Sequence, residues 1–321
     1  MNNATDNGRP QGSLRQGLGT ESRAVGKDRT SQKPVGAGPA VTEPRLGFAT
    51  MARLATLLIG LGTTSSAAVE LCRRRLVREA RTEFLGGITV MVVDGDPPDN
   101  IDFEHFVQLM DGARGAFGFG TNPAAGGIEI VARNRPVLHS ALMYKMEQLI
   151  RGGGAITPLI GPQSAMRIGI VYGPGGVSSS TGQVMEELVE AAGRQLGIAG
   201  LYVDHLMIGP EICTRATDRK VAPYQRRFIK SNFSQSLQRL MERFADAAGP
   251  AEQRREDRGR SVSLVDQTNL AGLSIPTMAE FTRMLGDCLF HRYATKAGKE
   301  ADARYVDAEG TGQHHGPVKN E

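Results

Sequence analysis

Two short stretches of this chain have the composition of anion-binding loops. Gly60-Leu61-Gly62-Thr63-Thr64-Ser65 follows one apolar run, and Gly173-Pro174-Gly175-Gly176-Val177-Ser178-Ser179-Ser180-Thr181-Gly182 follows another. Each passes from a predicted strand, through glycines and hydroxyls, into a predicted helix. A tight turn needs one glycine, whereas several imply a backbone that something approaches closely. A helix start adds unpaired N–H groups and a partial positive charge, so phosphate is the chemistry such a stretch suits. The hydroxyls of Thr63, Thr64, Ser65, Ser178, Ser179 and Thr181 are candidate donors to it. Plain capping of the helices by Ser and Thr is the alternative. Capping does not account for the glycines that precede both helices.

The elements around these stretches alternate. Leu54 to Ile59, Ile88 to Val93, Arg167 to Tyr172, Leu201 to Ile208 and Val262 to Val265 read as buried strands. Between them lie helical patterns: one through Val69, Cys72, Leu76 and Ala80, one through Leu138 to Leu149 with Pro136 in its first turn, and one over Val184 to Leu196. Asn232 is read as standing just before a helix that carries Phe233, Leu237 and Leu240. A last helix is expected over about Thr277 to Arg292. Strand–helix alternation predicts an α/β fold: an open, mostly parallel sheet with helices on both faces. In such sheets ligands sit beyond the carboxyl ends of the strands. The glycine stretches all follow strand ends, as do Asp94 and Glu211, so they are expected to converge.

Composition narrows the function. The chain has 321 residues, 40% hydrophobic and 22% charged, enough for one well-buried core. A formal net charge of +4 permits an anionic partner without naming one. There is no Trp and only 5% aromatic residues, which argues against a base-stacking nucleic-acid module. Cys72, Cys213 and Cys288 are widely spaced with no C-x-x-C, so reduced thiols in a cytoplasm are expected. No apolar run is long enough to span a membrane, and no histidine spacing suits a catalytic metal. Arg73, Arg74, Arg75, Arg78 and Arg81 share one helix face, read as a solvated face or as a docking face for an acidic partner. Residues 1–51 and 294–321 are polar and aperiodic and read as disordered tails. The folded domain is expected over 52–293, and Met51 offers an alternative start.

Four segments together resemble the nucleotide-binding domain of the tubulin and FtsZ superfamily, most closely its bacterial tubulin-like group. Leu58 to Thr64 is similar to the family's first phosphate loop. Arg114-Gly115-Ala116-Phe117-Gly118-Phe119-Gly120-Thr121-Asn122-Pro123 is similar to its third loop, and Gly175 to Gly182 stands in the place of its glycine-rich signature. Asn232 falls where the family reads guanine. Val265 to Gly272 resembles the end of the tubulin-like domain. The resemblance implies GTP or GDP as the ligand, with Mg2+ as a possible companion. The implied contacts are Gly60, Gly62, Thr63, Thr64, Ser65, Asp94, Gly118, Gly120, Thr121, Asn122, Gly175, Gly176, Ser178, Ser179, Ser180, Glu211 and Asn232.

The sequence also departs from the family. Thr63 and Ser65 stand where glycines are usual, as do Ser178 and Ser180, and Val177 replaces a threonine. The loop after the central helix, Ala248 to Asp257, lacks the acidic pattern that completes GTP hydrolysis in a neighbouring subunit. The family's second domain is expected to be missing after Tyr293. The expected function is therefore a guanine-nucleotide-binding, cytoskeleton-like or interaction protein with degenerate phosphate loops. Weak or absent hydrolysis is expected, with self-association or another protein as the partner. Two alternatives stay open: a ligand-free scaffold of the same fold, and a Rossmann-type dinucleotide enzyme.

Overall fold

A computed structural model describes residues 55–80, 87–95, 103–109, 127–152, 161–215, 221–247, 260–265 and 277–295. The expectations for residues 1–51, for the segment Ala113 to Gly126 and for the loop Ala248 to Asp257 lie outside these residues. So does the tail beyond Thr295.

Six strands form one sheet: β1 (Ala55–Leu61), β2 (Ile88–Asp94), β3 (Phe106–Gln108), β4 (Gly161–Tyr172), β5 (Ile198–Ile208) and β6 (Arg260–Val265), in spatial order β3-β2-β1-β4-β5-β6. Every pairing is parallel. Parallel sheets are covered on both faces, so their strands read as continuous apolar runs. β1 is buried at all seven positions, which is why its sequence reads as a strand.

Alternate residues of each strand feed two cores. Leu57, Ile59 and Leu61 of β1, with Ile168, Ile170 and Tyr172 of β4, pack under α2 (Gly127–Arg151) and α3 (Gly176–Gln195). Leu58, Val171 and Leu206 face α1 (Thr63–Ala80) and α6 (Met278–Ala294) on the other side. The short α4 (Pro210–Arg215) adds Ile212 and Cys213 to that second core. The long α5 (Pro223–Ala247) contributes to both, through Leu240 on one side and Ile229 on the other.

The structure corrects four boundaries. Pro136 lies inside α2 rather than in its first turn. It sits on the exposed face of the helix, as does Ala132, whose carbonyl loses its helical donor to the proline. α3 begins at Gly176, so Ser178 to Thr181 are helical rather than loop residues. α5 begins at Pro223, which places Asn232 in the helix interior. Strand β3 was not anticipated, being three residues long. The arginine face of α1 is largely neutralised within the fold: Arg73 and Arg74 pair with Glu70, and Arg75 with Glu79 and Asp287. α6 starts as expected, with Thr277 as N-cap accepting from the Glu280 N–H.

Candidate functional site

The sheet register sets the site. Leu61 of β1 is level with Val93 of β2 and with Tyr172 of β4, and Tyr172 is level with Met207 of β5. The loops after these strands therefore start side by side. The chain order reverses between β1 and β4, and that crevice is where open α/β sheets bind ligands.

The first loop is drawn tight across the crevice. Gly62 has φ +80°, a conformation that favours glycine. Its N–H donates to the Val93 carbonyl at 2.8 Å, and its own carbonyl accepts from Ser66 N at 2.8 Å. The Ser66 hydroxyl donates to the Gly60 carbonyl at 3.1 Å. A Cβ on Gly60 would lie 2.8 Å from the Ser65 carbonyl oxygen, and one on Gly62 would lie 2.9 Å from Ser178 Cβ. The second of these contacts shows that the starts of α1 and α3 abut.

The start of α3 is built differently from an ordinary capped helix. Its N-cap, Gly175, is extended (φ −66°, ψ 154°) and supplies no side-chain cap. The first helical bond runs from Ser179 N to the Gly175 carbonyl at 2.9 Å. The N–H groups of Gly176, Val177 and Ser178 are left without an intrahelical acceptor. The loop carbonyls, by contrast, are tied back. Ser178 Oγ donates to the Gly173 carbonyl at 2.9 Å and to that of Gly175 at 3.3 Å. Ser179 and Ser180 Oγ donate to the Gly176 carbonyl at 3.4 and 2.9 Å. Asn232 Nδ2 donates to the Pro174 carbonyl at 3.0 Å. Ser236 Oγ reaches the Ser179 carbonyl at 3.5 Å. Negative ends of the loop dipoles are held by side chains, while positive ends at the helix start have no such partner among the described residues. The serine hydroxyls that the sequence offers as phosphate donors donate to carbonyls here. They serve the loop backbone.

The other expected residues divide. Ser65 is buried, and its hydroxyl has no hydrogen-bond partner among the described residues, an orphan one turn into α1. Thr63 is exposed and Thr64 half-buried. Asp94 closes β2 with Oδ1 accepting from Gly95 N at 2.7 Å. Glu211 is committed to ion pairs with Arg215 at 2.6 Å and Lys230 at 3.5 Å, joining α4 to α5. Gly118, Gly120, Thr121 and Asn122 lie outside the described residues. Ser66 and Ser236 were missed. A signal for Ser236 existed: it sits one helical turn after Asn232, and both are polar among the apolar Ile229, Phe233, Leu237 and Leu240.

Two further buried polar clusters flank the loops. Glu186 of α3 is fully buried beside His205 Nε2 at 3.4 Å and receives Arg243 Nη1 of α5 at 2.8 Å. Tyr172 OH lies 3.5 Å from His205 Nδ1. Burial, and then the Glu186 charge, push the Tyr172 phenol well above its ordinary range. A Cβ on Gly182 would come within 3.0 Å of the Tyr172 ring, so this glycine makes room for an aromatic. On the other face Arg167 and Asp204 form a buried pair at 2.6 Å, with Ser261 Oγ donating to Asp204 at 2.6 Å and Tyr293 OH at 3.3 Å. Burial alone would raise the Asp204 pKa. Arg167, Arg292 and the hydrogen bonds outweigh it and hold the carboxyl below its usual value. Burial pushes the Cys72 thiol up to about 12, which makes it a packing residue. No group of metal-ligating side chains occurs among the described residues, and none of their helices is long and apolar enough to cross a membrane.

No family model matches the chain, and no curated protein matches it. Among solved structures it is similar to members of the tubulin/FtsZ family. One is CetZ2 from Haloferax volcanii as a GTPγS-bound protofilament, at 16% identity over 78% of this chain and 59% of that one, TM-score 0.45. Another is TubZ of Clostridium botulinum phage c-st, at 8% identity over 76% and 61%, TM-score 0.41. A third is CetZ1 from Haloferax volcanii as a GDP-bound monomer, at 16% identity over 73% and 58%, TM-score 0.43. The matches extend over about three fifths of the length of each of these proteins. The likeness is one of fold, and the chemistry of the site rests on this chain's own residues.

Proposed function

We propose that the chain binds a guanine nucleotide, with its phosphates held between the N-termini of α1 and α3. Its role would be that of a nucleotide-dependent interaction protein with little or no GTP hydrolysis. The observation that carries the reading is the start of α3. It is a largely buried, glycine-capped helix start whose first N–H groups have no side-chain partner among the described residues, abutting a second helix start at the switch point of the sheet. A buried helix end without a cap calls for a partner, and an anion supplies one from the favourable end of the dipole. The Ser65 hydroxyl, buried and without a partner among the described residues, adds a further polar group at this end of the sheet.

Guanine is the finer part of the proposal and comes from the resemblance of the loops alone, since the Asn232 amide is engaged with the Pro174 carbonyl. Self-association is proposed on the same footing. The weak hydrolysis follows from the absence of an acidic signature after α5. A positioned carboxylate that activates water contributes orders of magnitude in rate.

A dinucleotide reading is favoured by two observations: the strand order is also that of dinucleotide-binding sheets, and Asp94 closes β2 as a ribose-binding acid would. Titration of the full chain with labelled GTP, ATP and NAD separates these readings. The expected result is micromolar affinity for GTP, about −8 kcal/mol, with ATP weaker. Equal affinity for ATP removes the base preference. Tighter NAD binding supports the second reading, and no binding leaves a ligand-free scaffold.

A further inference from the structure

The family resemblance casts Asn232 as a base reader, but the geometry points elsewhere. We propose that Asn232 and Ser236 are positioning residues for the phosphate loop, acting through its carbonyls whatever base the nucleotide carries. The inference rests on the phosphate cleft proposed above but not on the identity of the base.

Asn232 is buried in the interior of α5, 58 residues along the chain from Pro174, whose carbonyl it holds at 3.0 Å. Ser236, one turn later and also buried, holds the Ser179 carbonyl. The two contacts bracket the stretch from Pro174 to Ser179, which contains the uncapped N–H groups. A peptide plane is rigid, so fixing a carbonyl fixes the N–H of the next residue. Holding the Pro174 carbonyl therefore aims the Gly175 N–H at the head of α3, and holding the Ser179 carbonyl fixes the first helical turn that carries the N–H groups of Gly176 to Ser178. Arg243 anchors the same face of α5 to Glu186 and Glu187 of α3 at 2.8 and 2.5 Å. The loop is thereby held against a helix that is itself tied to α3 through Ser236 and Arg243. Preorganised backbone donors bind an anion without a reorganisation cost, and loosening them lowers affinity for the phosphates themselves.

The test compares wild type with Asn232→Ala, Asn232→Asp and Ser236→Ala for binding of GTP, ATP and inorganic tripolyphosphate. Hydrogen exchange of the α3 first turn is followed without ligand. Asn232→Asp keeps the shape but replaces the donor with an acceptor that repels the Pro174 carbonyl. Gln238→Ala, on the exposed face of α5 where Gln238 meets Glu242, is the control and should bind as wild type does. The expected result is a loss of roughly tenfold for both Asn232 variants, equal for GTP, ATP and tripolyphosphate. Ser236→Ala should lose less, about two- to threefold, because its bond is long. Exchange at Ser179 N–H should accelerate in the Asn232 variants. Loss of GTP alone, with tripolyphosphate binding unchanged, would overturn the proposal and restore Asn232 as the base reader. If wild type binds none of the three, the nucleotide reading fails, and exchange still decides the clamp: faster exchange upholds it and unchanged exchange refutes it.

Discussion

Two buried polar regions, one on a face of the sheet around Asp204 and one at its strand ends around Gly175, are finished to different degrees. Around Asp204, every charge is answered: Arg167, Ser261 and Tyr293 converge on the carboxylate, and Arg167 also stacks over the Tyr293 ring at 4.5 Å. Around Gly175 the carbonyls are answered but the helix-start N–H groups are not, and the Ser65 hydroxyl has no partner among the described residues. A closed cluster of this kind fixes how β4, β5, β6 and α6 pack. An open one leaves binding capacity, and both cores are arranged so that the opening falls at the sheet's switch point.

The largest effect should come from opening the closed cluster. Arg167→Ala strands the buried Asp204 carboxylate, and a denaturant titration should show a loss of about 3–5 kcal/mol. A loss under about 1 kcal/mol would mean that the cluster is far more hydrated than its burial indicates.

Gly62→Val comes next. It adds backbone strain of about 1–2 kcal/mol at a positive φ and overpacking of about 1–3 kcal/mol against Ser178. Unlike Arg167→Ala, it should also abolish nucleotide binding in the fraction that stays folded, which equilibrium dialysis would show. Unchanged binding would separate the first loop from the site.

The two regions should also differ in acid. Asp204 has a folded pKa below its ordinary value, so the stability it contributes is complete above about pH 4, the unfolded-state value. It is lost as pH falls further, through the folded pKa. Urea midpoints measured between pH 2 and pH 6 should therefore fall more steeply below about pH 4 for wild type than for Asp204→Asn. Parallel curves would contradict the assignment. The smallest effect belongs to Thr277→Ala, which removes the α6 N-cap and should cost about 1 kcal/mol with ligand binding unchanged.

Much of the frame is legible in the sequence, for identifiable reasons. β1, β2, β4 and β5 are continuous apolar runs because both faces of a parallel sheet are covered, and their ends fall within three residues of those expected, except that β4 starts six residues earlier, at Gly161. The meeting of the Gly62 and Ser178 loops follows from the strand-end rule for open sheets. The start of α3 is not legible. Gly176, Val177 and the serines are weak helix formers, and ties from α5 together with the serine hydroxyls hold them in a first turn. The sequence pattern places the start of α5 about ten residues late, because its apolar stripe is clear only from Phe233. Pro223, a favoured first helical residue, is the overlooked signal. The direction of the serine hydroxyls has no sequence signature, since the same residues serve as caps, as ligand donors and as backbone ties.

The central claim is that the open cluster holds phosphate. Its most direct test is displacement of labelled GTP by inorganic tripolyphosphate, in wild type and in Gly176→Val, with circular dichroism confirming that both are folded. Tripolyphosphate should displace the nucleotide from wild type, and Gly176→Val, which sets a branched side chain at the uncapped helix start, should bind neither. Tripolyphosphate that leaves bound GTP in place, or a folded Gly176→Val that binds GTP as wild type does, would contradict the claim.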